Sequence, residues 1–167
     1  MQHTGHTTLA APIDRIDLTN WLFTLSDAEY QATARGHRAA GTFVEDGVRG
    51  MVNVEAIGGH LIIQHYKEIS ATPTHVEMLS ERSRVYLFHL VPATIQVRWT
   101  MTATARTADT SDFHCTVELT MNPLLRVLGG LSALNFAIRA HAREETQKFA
   151  DDIIRKVRIA QRSQAGE

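Results

Sequence analysis

His141 and Glu145 are the two residues of this sequence best placed for acid–base chemistry. They stand four residues apart in a stretch without Pro or Gly, from Ser132 to Ala160, which favours a helix. On one helical face the carboxylate could hydrogen-bond the imidazole and hold one tautomer, as a general base requires. The pair could therefore move a proton on a bound carbonyl compound, anchor a ligand, or form an ordinary ion pair at the helix edge.

The helix that carries this pair has an apolar face. Six side chains recur at steps of three and four and fall on that face: Leu134, Ile138, Ala142, Phe149, Ile153 and Val157. Glu145 lies near the centre of this stripe and His141 at its edge. An unpaired charge in a dry core is costly, so Glu145 either bends out to solvent or faces a wet or polar space.

The chain before the helix alternates apolar and polar residues, which predicts strands. The clearest run is 93–106, where Trp99 and Met101 share one face and threonines occupy the other. Further strands are predicted over 51–57, 61–69, 74–79, 85–91 and 113–119, with a hairpin turn at Gly58-Gly59 and a turn at 80–83. Because short turns require antiparallel pairing, we expect an α+β fold: a curved antiparallel sheet of about six or seven strands covered by the helix.

The N-terminal part is less regular. Residues 1–11 are small and polar, and we expect a mobile tail. The pattern over 13–25 fits strand or helix, whereas Ser26 to Glu29 has the form of a capping box and predicts a short helix over 26–35. Residues 37–50 contain breaking glycines and a turn dipeptide, Asp46-Gly47, and are expected to be irregular. We expect one domain over 12–160 and a C-terminal tail over 161–167.

Composition and motifs exclude several classes of function. The 17 basic and 18 acidic residues form no basic block, which argues against nucleic-acid binding. A single Cys115 suits a reducing compartment, and without a signal peptide or an apolar membrane span we expect a cytoplasmic protein. His60 and His65 lack a second pair of ligands, and no nucleotide-binding motif is present, so we expect no metal and no cofactor.

The order of elements resembles a known superfamily. The last strand ends in Val117-Glu118-Leu119, Pro123 and an apolar connector follow, and the long helix with Arg139 to Glu145 closes the chain. This layout resembles the START-like, helix-grip superfamily, which includes polyketide cyclases and lipid-transfer proteins, over roughly 50–157. The resemblance implies a sheet wrapped around the final helix, with a large cavity for an apolar or aromatic small molecule. The usual first strand and two helices are hard to fit into 13–36.

Within that fold, six residues are candidates for contact with the ligand: Trp99, Met101, His89, Phe113, Ile138 and Phe149. Trp99 offers a flat face and one N–H donor. His89 has apolar neighbours on both sides of its strand, so we expect it to be buried. His65 and Tyr66 lie on opposite faces of one strand, and the sequence leaves open which of them points inward.

Three functions follow from these patterns. The leading hypothesis is a bacterial-type START-like protein that binds a small apolar or aromatic molecule between the sheet and the helix. An alternative is a cofactor-free cyclase or dehydratase in which His141 and Glu145 act as acid and base. A third is a protein that binds a partner through an apolar groove, and the sequence leaves room for a homodimer. Gly129-Gly130, after the apolar patch 124–128, could act as the hinge of a lid.

Overall fold

A seven-stranded antiparallel sheet and a long C-terminal helix make up the fold, an α+β arrangement as predicted. The computed structural model describes residues 1–123, 127 and 134–165. The strands are β1 Gln2–Leu9, β2 His37–Glu45, β3 Val48–Ile57, β4 His60–Thr72, β5 His75–Leu87, β6 Val91–Ala105 and β7 Ser111–Thr120. The helices are α1 Leu18–Phe23, α2 Asp27–Thr33 and α3 Leu134–Ala165, with a 3-10 turn at Ile13–Arg15. The order of the strands in the sheet is β1-β7-β6-β5-β4-β3-β2.

Tight turns connect most neighbouring strands, as the sequence predicted. Gly58 and Gly59 join β3 to β4 with φ angles of 58° and 82°. Asp46 and Gly47 join β2 to β3 with φ angles of 52° and 77°. These left-handed backbone angles are those that two-residue hairpin turns need and that glycine adopts without strain.

The N-terminal residues form an edge strand, which corrects the expectation of a mobile tail. β1 pairs antiparallel with β7, and Gly5 lies opposite Cys115. Only Gly5 and Leu9 of this strand are buried, so the sequence lacks the apolar alternation that marks a strand. Gly5 also lets β1 approach α3, because a Cβ at this position would collide with the side chain of Thr146.

Residues 37–50 form β2 and the first part of β3, which corrects the expectation of irregular chain. β2 lies at the other edge of the sheet and most of its side chains are exposed, so it too lacks the alternation. Two helices, α1 and α2, follow β1, and both fall within the segment where the sequence showed one clear helix. The capping box of α2 is confirmed: Ser26 Oγ accepts from the Glu29 amide, and Glu29 accepts from the Ser26 amide.

The turn predicted at 80–83 is instead a bulge within one strand. β5 is continuous from His75 to Leu87, with a shift of register between Ser80 and Ser83. Both serines are fully buried, and the Ser83 hydroxyl donates to Ser80 Oγ over 2.8 Å. The turn was predicted because the residues of this bulge are polar, as turn residues usually are.

The concave face of the sheet packs on α3. Trp99 and Met101 of β6 point inward, as predicted, and Tyr66 is buried while His65 is exposed. The stripe on α3 is confirmed for its described side chains, since Ile138, Ala142, Phe149 and Ile153 are buried and Val157 is half-buried against the core. The helix continues through 161–165, where a tail was expected.

The apolar connector between β7 and α3 falls mostly outside the described residues. The proposed hinge at Gly129-Gly130 lies there, as does most of the patch 124–128. Within the described part of the chain, no helix combines the length and the apolar character needed to cross a membrane.

Candidate functional site

Four ionisable side chains from three elements meet beneath the sheet. We call them the His/Glu cluster: His37 at the start of β2, Glu55 of β3, and His141 and Glu145 of α3. One nitrogen or oxygen atom of each lies within 4.8 Å of the others. His37, Glu55 and Glu145 are buried, and the His141 side chain is 10% exposed. Of the residues that the structure describes, no other group of three or more His, Cys, Asp or Glu side chains meets in this way.

The structure gives each member of the predicted pair a different partner. His37 Nε2 lies 3.4 Å from Glu145 Oε1, and His141 Nε2 lies 3.8 Å from Glu55 Oε2. Both distances are long for a hydrogen bond, and neither Nε2 atom has a hydrogen-bond partner. His141 and Glu145 therefore share one face of α3, but the contacts that orient them come from β2 and β3.

Neighbouring groups fix the orientation of His37 and Glu55. His37 Nδ1 lies 2.8 Å from the carbonyl oxygen of Tyr30, which can only accept, so Nδ1 carries a proton and donates. The Tyr30 hydroxyl donates to Glu55 Oε1 over 2.7 Å, and Asn53 Nδ2 donates to the same oxygen over 3.2 Å. The Tyr30 ring also stacks on the His37 imidazole, with centroids 3.8 Å apart. His37 Nε2 and Glu55 Oε2 are thereby left facing the interior of the cluster.

Burial and the two carboxylates shift the pKa values in this region. Burial lowers the pKa of His37, but the adjacent Glu145 carboxylate and the charge of Glu55 outweigh it, so the pKa is raised above its usual value. Burial, together with the charges of Glu55 and Glu145, raises the pKa of Tyr30 well above its usual value. Tyr30 is therefore a neutral hydrogen-bond donor at any physiological pH.

A narrow pocket extends from the cluster between the sheet and α3. Its volume is about 30 Å³, room for about one water molecule. Its walls include Glu55, His141 and Glu145, together with Gln64, Tyr66, Trp99 and Ile138. A second space of about 20 Å³ shares Ile62, Leu119 and Ile138 with it and is otherwise lined by apolar side chains. Instead of the large cavity implied by the resemblance, two small neighbouring spaces lie between the sheet and α3.

The six predicted ligand-contact residues fall into three groups. Trp99 and Ile138 line the pocket. Phe149 packs behind Trp99, with ring centroids 5.8 Å apart, while Met101 and Phe113 belong to the packed core. His89 lies in the exposed turn between β5 and β6 with a φ of 62°, which corrects its predicted burial. The strand ends at Leu87, two residues before His89, so the apolar neighbours of His89 belong to a turn.

The N–H group of Trp99 is already engaged. It donates to Cys115 Sγ over 3.1 Å, so Trp99 offers the pocket its ring and not its donor. Burial and the Glu145 charge raise the pKa of the Cys115 thiol, which therefore stays protonated.

Sequence reasoning missed His37, Glu55, Asn53 and Gln64. One signal could have found two of them: Asn53 and Glu55 alternate in β3 with Met51 and Ile57, so they lie on the inward face of the strand. No comparable pattern marks His37, because it is the one inward residue at the start of an exposed edge strand.

Solved structures with the same fold place this architecture among known proteins, although the sequence matches no protein-family model and no curated protein. The Zhui aromatase/cyclase from Streptomyces sp. R1128 is similar with a TM-score of 0.62 and 12% identity, covering 96% of this chain and 97% of that one. A protein from Thermus thermophilus has a TM-score of 0.59 and 10% identity, covering 93% and 99%. A conserved protein from Geobacillus kaustophilus has a TM-score of 0.57 and 11% identity, covering 93% and 96%. The chain has the START-like, helix-grip fold.

Proposed function

We propose that this protein binds a small, largely apolar or aromatic molecule, with a polar group at one end, between the sheet and α3. One observation carries the proposal. Asn53 Oδ1, Gln64 Oε1 and His141 Nε2 are buried without hydrogen-bond partners, and all three side chains line the same pocket. Unpaired buried polar atoms are costly, and O–H or N–H groups at the polar end of a ligand would donate to the two amide oxygens.

The two neighbouring spaces indicate the shape of the ligand. The wall of the first space includes polar side chains such as Gln64 and His141, whereas the second space is lined by apolar side chains alone. A ligand with a polar end and an apolar body fits this order, with its rings against Trp99. Because the spaces hold only about 30 and 20 Å³, binding requires Ile138 and Leu119 to move apart.

The test identifies any small molecule that co-purifies with the protein and then fills the proposed pocket by substitution. Native mass spectrometry of the purified protein, followed by organic extraction, should detect a discrete bound species. Ile138→Trp fills the junction of the two spaces and should reduce that species, and binding of an anilinonaphthalene probe, by about tenfold or more. Ile159→Trp on the exposed side of the same helix is the matched control and should bind as wild type.

If Ile138→Trp does not fold, Ile138→Phe serves in its place. Extraction that yields no bound species, together with equal probe binding in the Ile138 and Ile159 variants, would contradict the proposal.

The unpartnered His141 Nε2 on the pocket wall favours a second candidate function, acid–base catalysis on the bound molecule. On an identified substrate, His141→Ala and Glu145→Gln should then abolish turnover while weakening binding only modestly. Full activity in both variants would exclude this function.

A further inference from the structure

We propose that the His/Glu cluster binds one divalent transition-metal ion, for which Zn²⁺ best fits the ligands. The cluster offers two imidazole nitrogens and two carboxylate oxygens and no thiolate. Imidazole suits zinc, iron, nickel and copper, and a mixed set of nitrogen and oxygen ligands is common at zinc sites. Mg²⁺ and Ca²⁺ prefer oxygen ligands alone and are not expected here.

The distances suit a tetrahedral ion. Ligand atoms about 2.0–2.2 Å from zinc lie about 3.3–3.6 Å apart in a tetrahedron. The separations of 3.4 Å between His37 and Glu145 and 3.8 Å between His141 and Glu55 lie close to this range. The widest separation in the cluster is at most 4.8 Å, so binding of a tetrahedral ion would draw the ligand atoms together by about 1 Å.

The free nitrogen atoms are the observation that points to a ligand. His37 is 97% buried and its Nε2 lacks a hydrogen-bond partner while facing Glu145. Its Nδ1 donates to the Tyr30 carbonyl, which leaves the Nε2 lone pair available to a metal. A backbone carbonyl that receives the other N–H is the usual support of a metal-binding histidine.

The carboxylate of Glu55 is supported in the same manner. Tyr30 and Asn53 both donate to Oε1, so Oε2 is turned toward His141. Hydrogen bonds that orient a ligating carboxylate are a regular feature of metal sites. Tyr30 thus serves both halves of the cluster, through its carbonyl oxygen and through its hydroxyl.

Charge balance favours a divalent ion. Glu55 and Glu145 bring two negative charges into the interior, and buried charges are stable only when paired or bound to metal. One divalent cation with two neutral imidazoles makes the cluster electrically neutral. The adjoining pocket of about 30 Å³ has room for one water molecule beside the cluster.

The experiment titrates metal into the 167-residue chain after chelator treatment. Isothermal calorimetry with Zn²⁺ should show one ion per chain, and Zn²⁺ should raise Tm because it binds the folded state. Mg²⁺ should give neither effect. No organic ligand is present in this titration, so its result is independent of the proposed small-molecule function.

Substitutions in the cluster should distinguish Zn²⁺ binding at this site from Zn²⁺ binding at other histidines. His141→Gln and Glu145→Gln should each weaken Zn²⁺ binding about 100-fold or more, and Tyr30→Phe, which removes one support of Glu55, about tenfold. His60→Gln is the matched control, because His60 is also buried with an unpartnered Nε2. His6→Gln removes an exposed histidine that contacts Asp112, and it controls for a stray ion bound at the surface. Both controls should bind as wild type.

A second measurement covers variants that fail to fold. Co²⁺ bound to the wild-type chain should give the visible absorption of a four- or five-coordinate site with nitrogen and oxygen ligands, and this should survive in His6→Gln. No Zn²⁺ binding, binding unchanged in the two cluster variants, or binding lost in His6→Gln would each overturn the proposal.

Discussion

Two groups of charged side chains on α3 differ in their access to water. At the C-terminal half, Glu29 of α2 accepts from Arg155 over 2.6 Å and from Lys156 over 3.2 Å, and Arg155 also contacts Asp152. Two carboxylates face two permanent cations at a surface that retains solvent. Three turns toward the N-terminus, the His/Glu cluster places two carboxylates against two imidazoles in the interior.

This difference in access to water indicates which of the two groups has a functional role. The positive and negative charges of the outer group balance at neutral pH without any added ion. The group joins α2 to α3 as an ordinary surface ion-pair network. The two negative charges of the inner group are balanced only if protons on the imidazoles, or a metal ion, supply positive charge. Its desolvation cost is large, so it is poorly explained as a device for stability. An arrangement that costs stability and borders a pocket is typical of a functional site.

The largest effect is expected from removing one charge of the inner group. His37→Leu leaves Glu145 buried beside Glu55 without its partner and should lower the free energy of unfolding by about 3–5 kcal/mol in chelator-treated protein. His37→Leu/Glu145→Leu removes both members of the pair and should recover about 2 kcal/mol or more of that loss. Urea unfolding of the two variants measures the difference. A single variant as stable as wild type would show that Glu145 needs no charged partner.

Half-buried elements were readable from the sequence for a physical reason. In β6 and α3, one face meets the core and the other meets water, so apolar residues recur with period two or near 3.6. β1 and β2 are edge strands, and they bury little beyond Gly5, Leu9 and His37. β1 pairs with the distant β7, and β2 pairs with β3 across a two-residue turn. Backbone contacts set both pairings and leave no apolar period in the sequence.

Half of the candidate site could be predicted from the sequence for the same reason, since only two of its four residues show a regular spacing. His141 and Glu145 stand one turn apart on a single helix, and such pairs are visible as spacing. His37 reaches them only because the first residue of β2 lies against α3, where it contacts Glu145 and the His141 ring. Gly36 contributes too, since a Cβ there would lie 2.9 Å from the His141 ring. The helix predicted over 26–35 stops just before this glycine, and the structure shows that Gly36 also leaves room for the His141 ring.

Gly36 permits a test that leaves every charge in place. Gly36→Ala should press on Nδ1 and Cε1 of His141, both 2.9 Å from the added Cβ, and should destabilise the protein by about 1–2 kcal/mol. Zn²⁺ affinity should fall as well, because His141 is displaced. Gly41→Ala in β2 is the matched control, since no atom lies within 4 Å of its added Cβ, and its stability should change by less than about 0.5 kcal/mol. Equal behaviour of the two variants would remove the role assigned to Gly36.

The smallest effect is expected from the outer group, and it should depend on pH and salt. Partial burial raises the pKa of Glu29, but hydrogen bonds from Ser26, Arg155 and Lys156 outweigh it and lower the pKa from 4.5 to about 2. A carboxylate whose pKa is lower in the folded state stabilises fully above its unfolded value, and this contribution is lost as the pH falls from 4.5 toward 2. Glu29→Gln keeps a side chain that can complete the capping box, so it isolates the charge.

Glu29→Gln should cost about 1 kcal/mol at pH 7 and low salt, after allowance for screening by solvent. The difference from wild type should shrink in about 1 M salt, and again below pH 4.5, as Glu29 in the wild type becomes protonated. Glu81→Gln, at an exposed position of β5, is the control and should show neither trend. Parallel urea titrations at low and high salt, and at pH 7 and pH 3, measure both dependences. A Glu29 difference that stays constant across pH and salt would mean that the amide loses shape or packing, and that the outer charges contribute nothing.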